Sequence, residues 1–279
     1  MSDHHHHHHH HRRKDSATRF KERSLRAIVI RRLIEKWLKI ILLVITILMV
    51  LAVIFLYKIP ANAQTVLGTK GLMNIPTADM NPAGTFDGGA SFVQKELLYD
   101  KSYNTGIYYI NFTPFSWMEI TYRETLIKTR KSAAEPDKIG FYQQDRSTTL
   151  RLRPLKEGKW WPAVVLGAND IYSDHGGSKY ANIYGVATKH FPISSVGTFA
   201  ATAGYSYARK SGTTYDGFMG GLSFSPEFCP ELRVMGDYDT RGYNVGMSAF
   251  LFRHLNLTCF THKFKGVNAT VSYQYTIRY

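Results

Sequence analysis

The last thirteen residues of the chain alternate between apolar and polar side chains without interruption. The apolar positions are Val267, Ala269, Val271, Tyr273, Tyr275, Ile277 and Tyr279. A period of two gives a β-strand one apolar and one polar face. Strands in soluble proteins are usually about 5 to 6 residues long, so this strand is about twice the common length. The pattern predicts a wall between hydrocarbon and water, as in a transmembrane β-barrel.

The same period recurs upstream as far as residue 84, and we count twelve strands. Besides the last strand, the segments are Thr85–Gln94, Gly106–Phe112, Met118–Arg123, Ser147–Arg153, Pro162–Ile171, Tyr180–Lys189, Phe199–Tyr207, Gly217–Phe224, Leu232–Asp239, Tyr243–Leu251 and Leu255–His262. We predict that residues 84–279 form an all-β, antiparallel, up-and-down transmembrane barrel of about 12 strands, in the outer membrane of a Gram-negative bacterium. The longest predicted outer loop is Ile127 to Arg146. A soluble β-sandwich is the alternative.

The N-terminal part of the chain has the organisation of an export signal. Residues 1–11 contain a run of eight histidines, His4 to His11, which we interpret as a tag or a low-complexity tract. Residues 12–63 combine a basic region, the apolar stretch Ile40–Tyr57 and small residues at Ala61 and Ala63. This pattern predicts a signal peptide cleaved between Ala63 and Gln64, with an uncleaved signal anchor as the alternative. We expect residues 64–83 to be a periplasmic or plug segment.

The formal net charge of +14 comes largely from this leader. The first 63 residues hold 12 Lys and Arg against 4 Asp and Glu, which leaves +6 for the other 216 residues. The charge is therefore no evidence for a nucleic-acid partner. The 2 cysteines are too few for a disulfide scaffold. We predict that Cys229 and Cys259 are free thiols, because an intervening strand separates them.

Three stretches resemble the YjbH-like family of outer-membrane proteins that are linked to exopolysaccharide and capsule export. The first is the motif Gly-Leu-Met-Asn-Ile-Pro-Thr-Ala over 71–78, which continues to Gly84; the others are Leu150–Asp170 and Ala181–Phe191. The motif residues carried over are Gly71, Leu72, Pro76, Thr77, Ala78 and Gly84. The resemblance is to a short, single-barrel member of the family. It implies a barrel that takes part in the export or surface assembly of exopolysaccharide or capsule.

No catalytic motif, metal-ligand spacing or cofactor loop occurs in the sequence, and we expect no enzyme, no metal and no cofactor. The candidate functional residues are instead charged side chains predicted to face the lumen. They are Glu119, Arg123, Arg151, Arg153, Lys189, Arg233, Asp237, Asp239 and Arg278. Charges on the lipid side of such a barrel cost about 2 to 4 kcal/mol at mid-depth, which favours the inward face.

Two interpretations of these charges remain open at the sequence level. They line a path for a ligand, or they neutralise one another in a filled lumen, since twelve strands lie between the about 8 of a filled barrel and the about 16 of a water-filled one. The expected partners are outer-membrane lipid, anionic polysaccharide and envelope export proteins. The alternatives to an export role are a structural or adhesive barrel with a filled lumen, and a lipid-modifying outer-membrane enzyme.

Overall fold

A computed structural model of the protein describes residue 36 and residues 63–98, 103–170, 180–209 and 213–277. Residues 12–35 and 37–62 of the predicted signal segment, with Ala61 at its cleavage site, and Arg278 lie outside the described residues. Within the described part of the chain, we find no helix that is both long and apolar enough to cross a membrane.

Twelve antiparallel strands form one closed barrel, as the two-residue period predicts. The strands are β1 (Thr85–Val93), β2 (Thr105–Phe115), β3 (Met118–Ser132), β4 (Glu135–Leu155), β5 (Ala163–Asn169), β6 (Asn182–Ile193), β7 (Gly197–Ala208), β8 (Gly217–Pro226), β9 (Leu232–Tyr238), β10 (Tyr243–Leu251), β11 (Leu255–His262) and β12 (Lys265–Thr276). Each strand pairs with its neighbours in sequence, and β1 pairs with β12 in the register Thr85 to Thr276. Closure leaves no unpaired sheet edge, so backbone polar groups are satisfied without water.

The two faces of the barrel wall differ in polarity. Outward-facing side chains are apolar and exposed, for example Ile110 (62%), Leu166 (54%) and Leu222 (66%). Many inward-facing side chains are polar and buried, as Thr85, Asp87 and Ser91 are on β1. Outward aromatic rings also pair across strands, since Phe86 stacks on its direct neighbour Phe112 with centroids 4.2 Å apart. An apolar exterior around a polar interior is the arrangement that a lipid bilayer requires.

The expected loop over residues 127–146 is instead an extension of two strands. β3 continues to Ser132 and β4 starts at Glu135, so that the two form a long hairpin with a two-residue turn. Side chains on both faces of this extension are mostly exposed. The sequence does not alternate there because neither face meets lipid or the lumen, but the backbone pairing continues, for example between Thr129 and Gly140.

The ends of the barrel follow the rule for outer-membrane barrels. Both chain ends of the barrel, at β1 and β12, lie at one end, which is the periplasmic end in such proteins. The link between β11 and β12, at the opposite end, is the two-residue turn Lys263-Phe264, with φ of 52° and 56°. Positive φ at both central residues is the geometry of a type I′ turn, which matches the twist of the paired strands.

Candidate functional site

Residues 63–84, which we call the plug, lie inside the barrel. All but a few of these residues are buried, among them Ala63 and Gln64. The plug folds as two tight turns closed by the bridges Gln64 to Lys70 and Gly71 to Pro76. It leaves the lumen through Gly84, whose φ of 77° suits glycine and whose N–H donates to Thr113 O (2.8 Å) on β2. The segment before the first strand therefore occupies the barrel interior.

Apolar side chains of the plug pack against apolar side chains of the wall. Leu72, Met73 and Ile75 are at most 2% exposed. They belong to one cluster with inward-facing residues of the wall, including Val93, Ile107, Val165, Val186, Met219, Met235 and Phe260. The lumen face is therefore apolar where the plug touches it, which departs from the simple rule that the inside of such a barrel is polar.

Two groups of lumen side chains, which we call the clamps, bind the plug backbone, and the first is centred on Asp237. Its Oδ2 accepts the backbone N–H groups of Met73 and Asn74, both at 3.0 Å, while its Oδ1 accepts Asn244 Nδ2 at 2.5 Å. The neighbouring Asp239 accepts the Asn74 side-chain amide at 2.7 Å. Hydrogen bonds to a charged acceptor are stronger than neutral ones. Asp237 and Asp239, predicted from the sequence to face the lumen, therefore bind the turn at residues 73–75.

Arg151 and Glu119 form the second clamp. Their side chains are completely buried and paired directly across β3 and β4, with Arg151 Nη1 at 2.7 Å from Glu119 Oε1. Arg151 Nη2 donates to the carbonyl oxygens of Thr77 and Asp79, the latter at 3.2 Å. Glu119 Oε1 also accepts the backbone N–H of Lys70 at 3.5 Å. The ion pair thus binds the plug as well as neutralising itself.

Lys70 carries a buried ammonium group within the plug. Its Nζ donates to Asn81 Oδ1 at 2.6 Å. Burial lowers the pKa of Lys70 to about 8; nearby Asp79 opposes this shift and the positive charge of Arg233 adds to it. Part of the charge of the plug is therefore lost when the pH rises above about 8.

The motif residues lie in the plug at positions that fix its shape. A side chain at Gly71 would collide with the Ile75 carbonyl oxygen and with Thr65, so the turn requires glycine there. Leu72 packs against Gly221 of β8, and the N–H of Ala78 donates to Thr188 Oγ1 of β6 at 2.8 Å. Pro76 pairs with Gly71, and the N–H of Thr77 donates to Lys70 O at 3.3 Å.

The remaining predicted lumen residues have different positions. Arg123 faces inward, donates to Thr149 Oγ1 at 2.6 Å, and lies 5.1 Å from the centre of the Tyr180 ring. Arg153 is partly exposed near the periplasmic end and donates to Ser116 O at 2.6 Å. Arg233 faces inward between β8 and β10 at the same end.

The prediction for Lys189 is wrong, because its side chain lies on the outward face of β6. Its neighbour Thr188 is completely buried and contacts the plug. Adjacent side chains of a strand point to opposite faces, so Lys189 points outward. Lys189 is tolerated there because it lies near the periplasmic end of the strand. Its Nζ pairs with Glu157 Oε1 at 3.0 Å and donates to Gly158 O at 2.5 Å.

Several residues of β1 and β2 that hold the plug, the acidic Asp87 among them, were not predicted. Tyr109 Oη donates to Gln64 Oε1 at 2.7 Å, and the Gln64 amide contacts Asp87. Ser91 Oγ donates to Val66 O at 3.0 Å. The signal that could have found these residues is their position on the inward faces of β1 and β2, which follows from the two-residue period.

The side chains of three described histidines each contact an oxygen atom of the barrel or its turns. His190 Nδ1 contacts Glu157 Oε2 at 2.7 Å, His254 Nδ1 contacts Gln274 O at 2.8 Å, and His262 Nδ1 contacts Asn244 Oδ1 at 2.8 Å. Among the described residues, no group of three or more His, Cys, Asp or Glu side chains could hold a metal ion. Cys229 and Cys259 are free thiols, as predicted.

Among the described residues, little space separates the plug from the walls of β5 to β8. The cavity between the plug and the walls of β5 to β8 has a volume of about 20 Å³ and is lined by residues such as Leu67, Asn74 and Tyr215. A water molecule needs roughly 10 to 15 Å³ measured in this way, so this space holds about one water. Fold and site together define the class of protein: a closed outer-membrane β-barrel of a Gram-negative bacterium, with its lumen occupied by residues 63–84 of its own chain.

Sequence comparison identifies the family. Residues 63–253 match the model of the family described as "Exopolysaccharide biosynthesis protein YbjH", and the chain belongs to this family. The matched region begins with the plug and includes ten of the twelve strands. One curated relative, the uncharacterized lipoprotein YjbH of Escherichia coli (strain K12), is 31% identical over 110 residues, which is 39% of this chain. The match spans 14% of the length of that relative.

Comparison with solved structures gives matches of low similarity. The KdgM porin has a TM-score of 0.42 and 9% identity, covering 70% of this chain and 99% of the porin. Outer membrane phospholipase A from Escherichia coli has a TM-score of 0.32 and 9% identity, covering 71% of this chain and 98% of the phospholipase. All these TM-scores are below 0.5, and no conclusion about this chain follows from them.

Proposed function

We propose that this barrel takes part in the export or surface assembly of exopolysaccharide as a closed, membrane-embedded component, and that the polysaccharide does not pass through its lumen. The observation that carries the proposal is the plug, which fills the interior and is bound by Asp237 and by the Glu119–Arg151 pair. Family membership supplies the link to exopolysaccharide. The expected partners are outer-membrane lipid around the apolar exterior and envelope export proteins that supply the passage.

The proposal includes no enzymatic reaction. A lipid-modifying enzyme in this setting needs a nucleophile and a base within hydrogen-bond reach, at the outer surface of the barrel. The contacts of His190, His254 and His262 described above are to Glu157, to a backbone carbonyl and to Asn244. None of these contacts activates a serine.

A disulfide between plug and wall tests the proposal. Ala78 and Thr188 are suited to it, because the Ala78 N–H lies 2.8 Å from Thr188 Oγ1 and both residues are completely buried. Ala78→Cys and Thr188→Cys are introduced together in a chain with Cys229→Ser and Cys259→Ser. Counting free thiols with a maleimide-linked polymer after denaturation gives the fraction of locked barrels, and secreted exopolysaccharide is measured in cells that lack the native gene.

We expect locked barrels to restore secretion as fully as the two single-cysteine variants do. Secretion that is lost in the locked protein and recovered on reduction would show that the plug must move, and the barrel would then be a conduit. A strain without the gene that secretes normally would remove the link to exopolysaccharide itself.

A further inference from the structure

A second cavity opens at the periplasmic end of the barrel, beside the plug. It has a volume of about 670 Å³ and is lined by the ends of β6 to β9 and by the turns that join them. We call this cavity the vestibule. Its polar lining comes from His190, Ser194, Thr198, Ser223, Ser225, Glu227 and Arg233, and its apolar lining includes Pro192, Ile193, Pro226 and Pro230. The volume is within the range of about 300 to 1,000 Å³ that is usual for small-molecule sites.

Arg233 is the unusual residue of the vestibule. Its Nε is buried and has no hydrogen-bond partner. Within the part of the chain that the structure describes, no carboxylate lies within ion-pair distance of its guanidinium group. Arg151 and Arg123, which are completely buried in the lumen, are bonded to Glu119 and to Thr149. The Arg233 side chain is partly exposed, and a polar atom that is buried without a partner is costly, so its guanidinium group is a candidate to bind an anion that enters the vestibule.

Hydroxyl side chains are close to Arg233 in the strand register and line the same cavity. Thr198 on β7 is directly opposite Ser225 on β8, and Ser223 lies two residues before Ser225 on the same inward face. The pairing of β8 with β9 runs to Phe224 and Val234, so Ser225 and Arg233 follow at adjacent positions. A guanidinium flanked by hydroxyls suits a carboxylate that is itself surrounded by hydroxyl groups.

Two carboxylates have to be weighed against the guanidinium group: Glu227, which lines the vestibule, and Asp79 of the plug, which acts electrostatically on Arg233. Asp79 of the plug is the acidic group that acts on Arg233, but its Oδ2 accepts Thr77 Oγ1 at 3.0 Å and its Oδ1 lies 3.6 Å from His190 Nε2. Glu227 lies in the turn after β8, where it is exposed to solvent. Neither carboxylate occupies the position of a direct partner for Arg233.

We propose that the vestibule binds a uronic acid unit of an acidic polysaccharide, with Arg233 pairing with the carboxylate and the hydroxyls of Thr198, Ser223 and Ser225 contacting the sugar. The choice of a saccharide as the ligand rests on the proposed function, while the anionic character rests on Arg233. The plug closes the lumen behind the vestibule. A bound segment is therefore held at the periplasmic mouth, where a partner protein can take it over.

Binding to the purified, detergent-solubilised barrel tests the proposal. The probe is cellobiouronic acid, a disaccharide with one carboxylate, and its neutral counterpart is cellobiose. We expect cellobiouronic acid to bind and cellobiose to bind at least about tenfold more weakly, because a hydrogen-bonded charge pair is lost. Arg233→Gln should weaken the binding of cellobiouronic acid by a similar factor. Arg146→Gln, which removes the same charge from the exposed outer hairpin, should leave the affinity unchanged.

Three results would overturn the proposal: no binding of cellobiouronic acid, equal binding of both disaccharides, or equal losses in Arg233→Gln and Arg146→Gln. Tighter binding of N-acetyl-trialanine, a peptide with a free carboxylate, would assign the vestibule to a protein tail and would also overturn it. Secretion by a strain without the gene is measured in parallel. If that strain secreted normally while binding still depended on Arg233, the proposed function would be wrong but the binding site would stand.

Discussion

Removal of the Asp237 carboxylate is expected to loosen the plug by an amount that the structure allows us to estimate. Asp237 Oδ2 accepts two backbone N–H groups of the plug at 3.0 Å. A hydrogen bond to a charged group contributes about 1.5 to 3 kcal/mol, so Asp237→Ala should weaken retention of the plug by about 3 kcal/mol or more. At about 1.4 kcal/mol for each factor of ten, the fraction of barrels with a displaced plug rises on the order of a hundredfold.

A cysteine in the plug makes this displacement measurable. Ala78 is completely buried and small, so Ala78→Cys in a chain with Cys229→Ser and Cys259→Ser reports exposure of the plug with little disturbance. The rate of alkylation by a maleimide follows the population of the open state when opening and closing are fast. Asp237→Ala should raise this rate on the order of a hundredfold. A heat-modifiable gel, on which a folded barrel migrates differently from the heated chain, should show that the barrel itself stays folded.

Asp216→Ala is the matched control. Asp216 also accepts a backbone N–H, that of Ala208 at 3.0 Å, but it lies in the loop before β8 and contacts no part of the plug. The alkylation rate should therefore stay at the value of the parent protein. If Asp237→Ala and Asp216→Ala changed the rate equally, or if neither changed it, the clamp would not hold the plug and the reasoning would be refuted.

Three further predictions concern the wall and the plug. Glu119→Gln should destabilise the barrel by about 3 to 5 kcal/mol, because it leaves Arg151 buried without its carboxylate. The temperature at which the folded band disappears from a heat-modifiable gel should therefore fall. Burial lowers the pKa of Lys70 from 10.5 to about 8, so folding disfavours its charged form. The free energy of unfolding should therefore rise between about pH 8 and pH 10.5, and this rise should be absent in Lys70→Met. Leu222→Arg should reduce folding into lipid vesicles, since a charge on the lipid face costs about 2 to 4 kcal/mol at mid-depth, whereas Leu222→Val should not.

The barrel was largely predictable because its strands are constrained on both faces. β12 alternates throughout, and the closed order of twelve strands follows from the same period. The pattern fails in the hairpin of β3 and β4 beyond residue 127, where both faces are exposed and side chains are not sorted by polarity. Pairing continues there through backbone hydrogen bonds, which leave no trace in the hydrophobic period.

The position of Lys189 was not predictable from polarity, and the plug explains why. Tyr184 and Val186 of β6 face inward although they are apolar, because they meet the apolar plug. A rule that assigns polar side chains to the lumen then gives the wrong parity for this strand. The contacts that decide it, such as the one between Ala78 and Thr188, join residues that are 110 positions apart.

The contacts with the plug change the interpretation of the charged side chains in the lumen. Glu119, Arg151, Asp237 and Asp239 were candidates for a ligand path, but each of them contacts the plug. A barrel without residues 63–84 would leave these groups without partners, and buried charges without partners destabilise a fold. Conductance of such a deletion variant would therefore report on a damaged barrel. The disulfide between residues 78 and 188 removes only the hydrogen bonds of the Thr188 hydroxyl and keeps the contacts of Glu119, Arg151, Asp237 and Asp239 in place, so it is the sharper test of whether the plug moves in function.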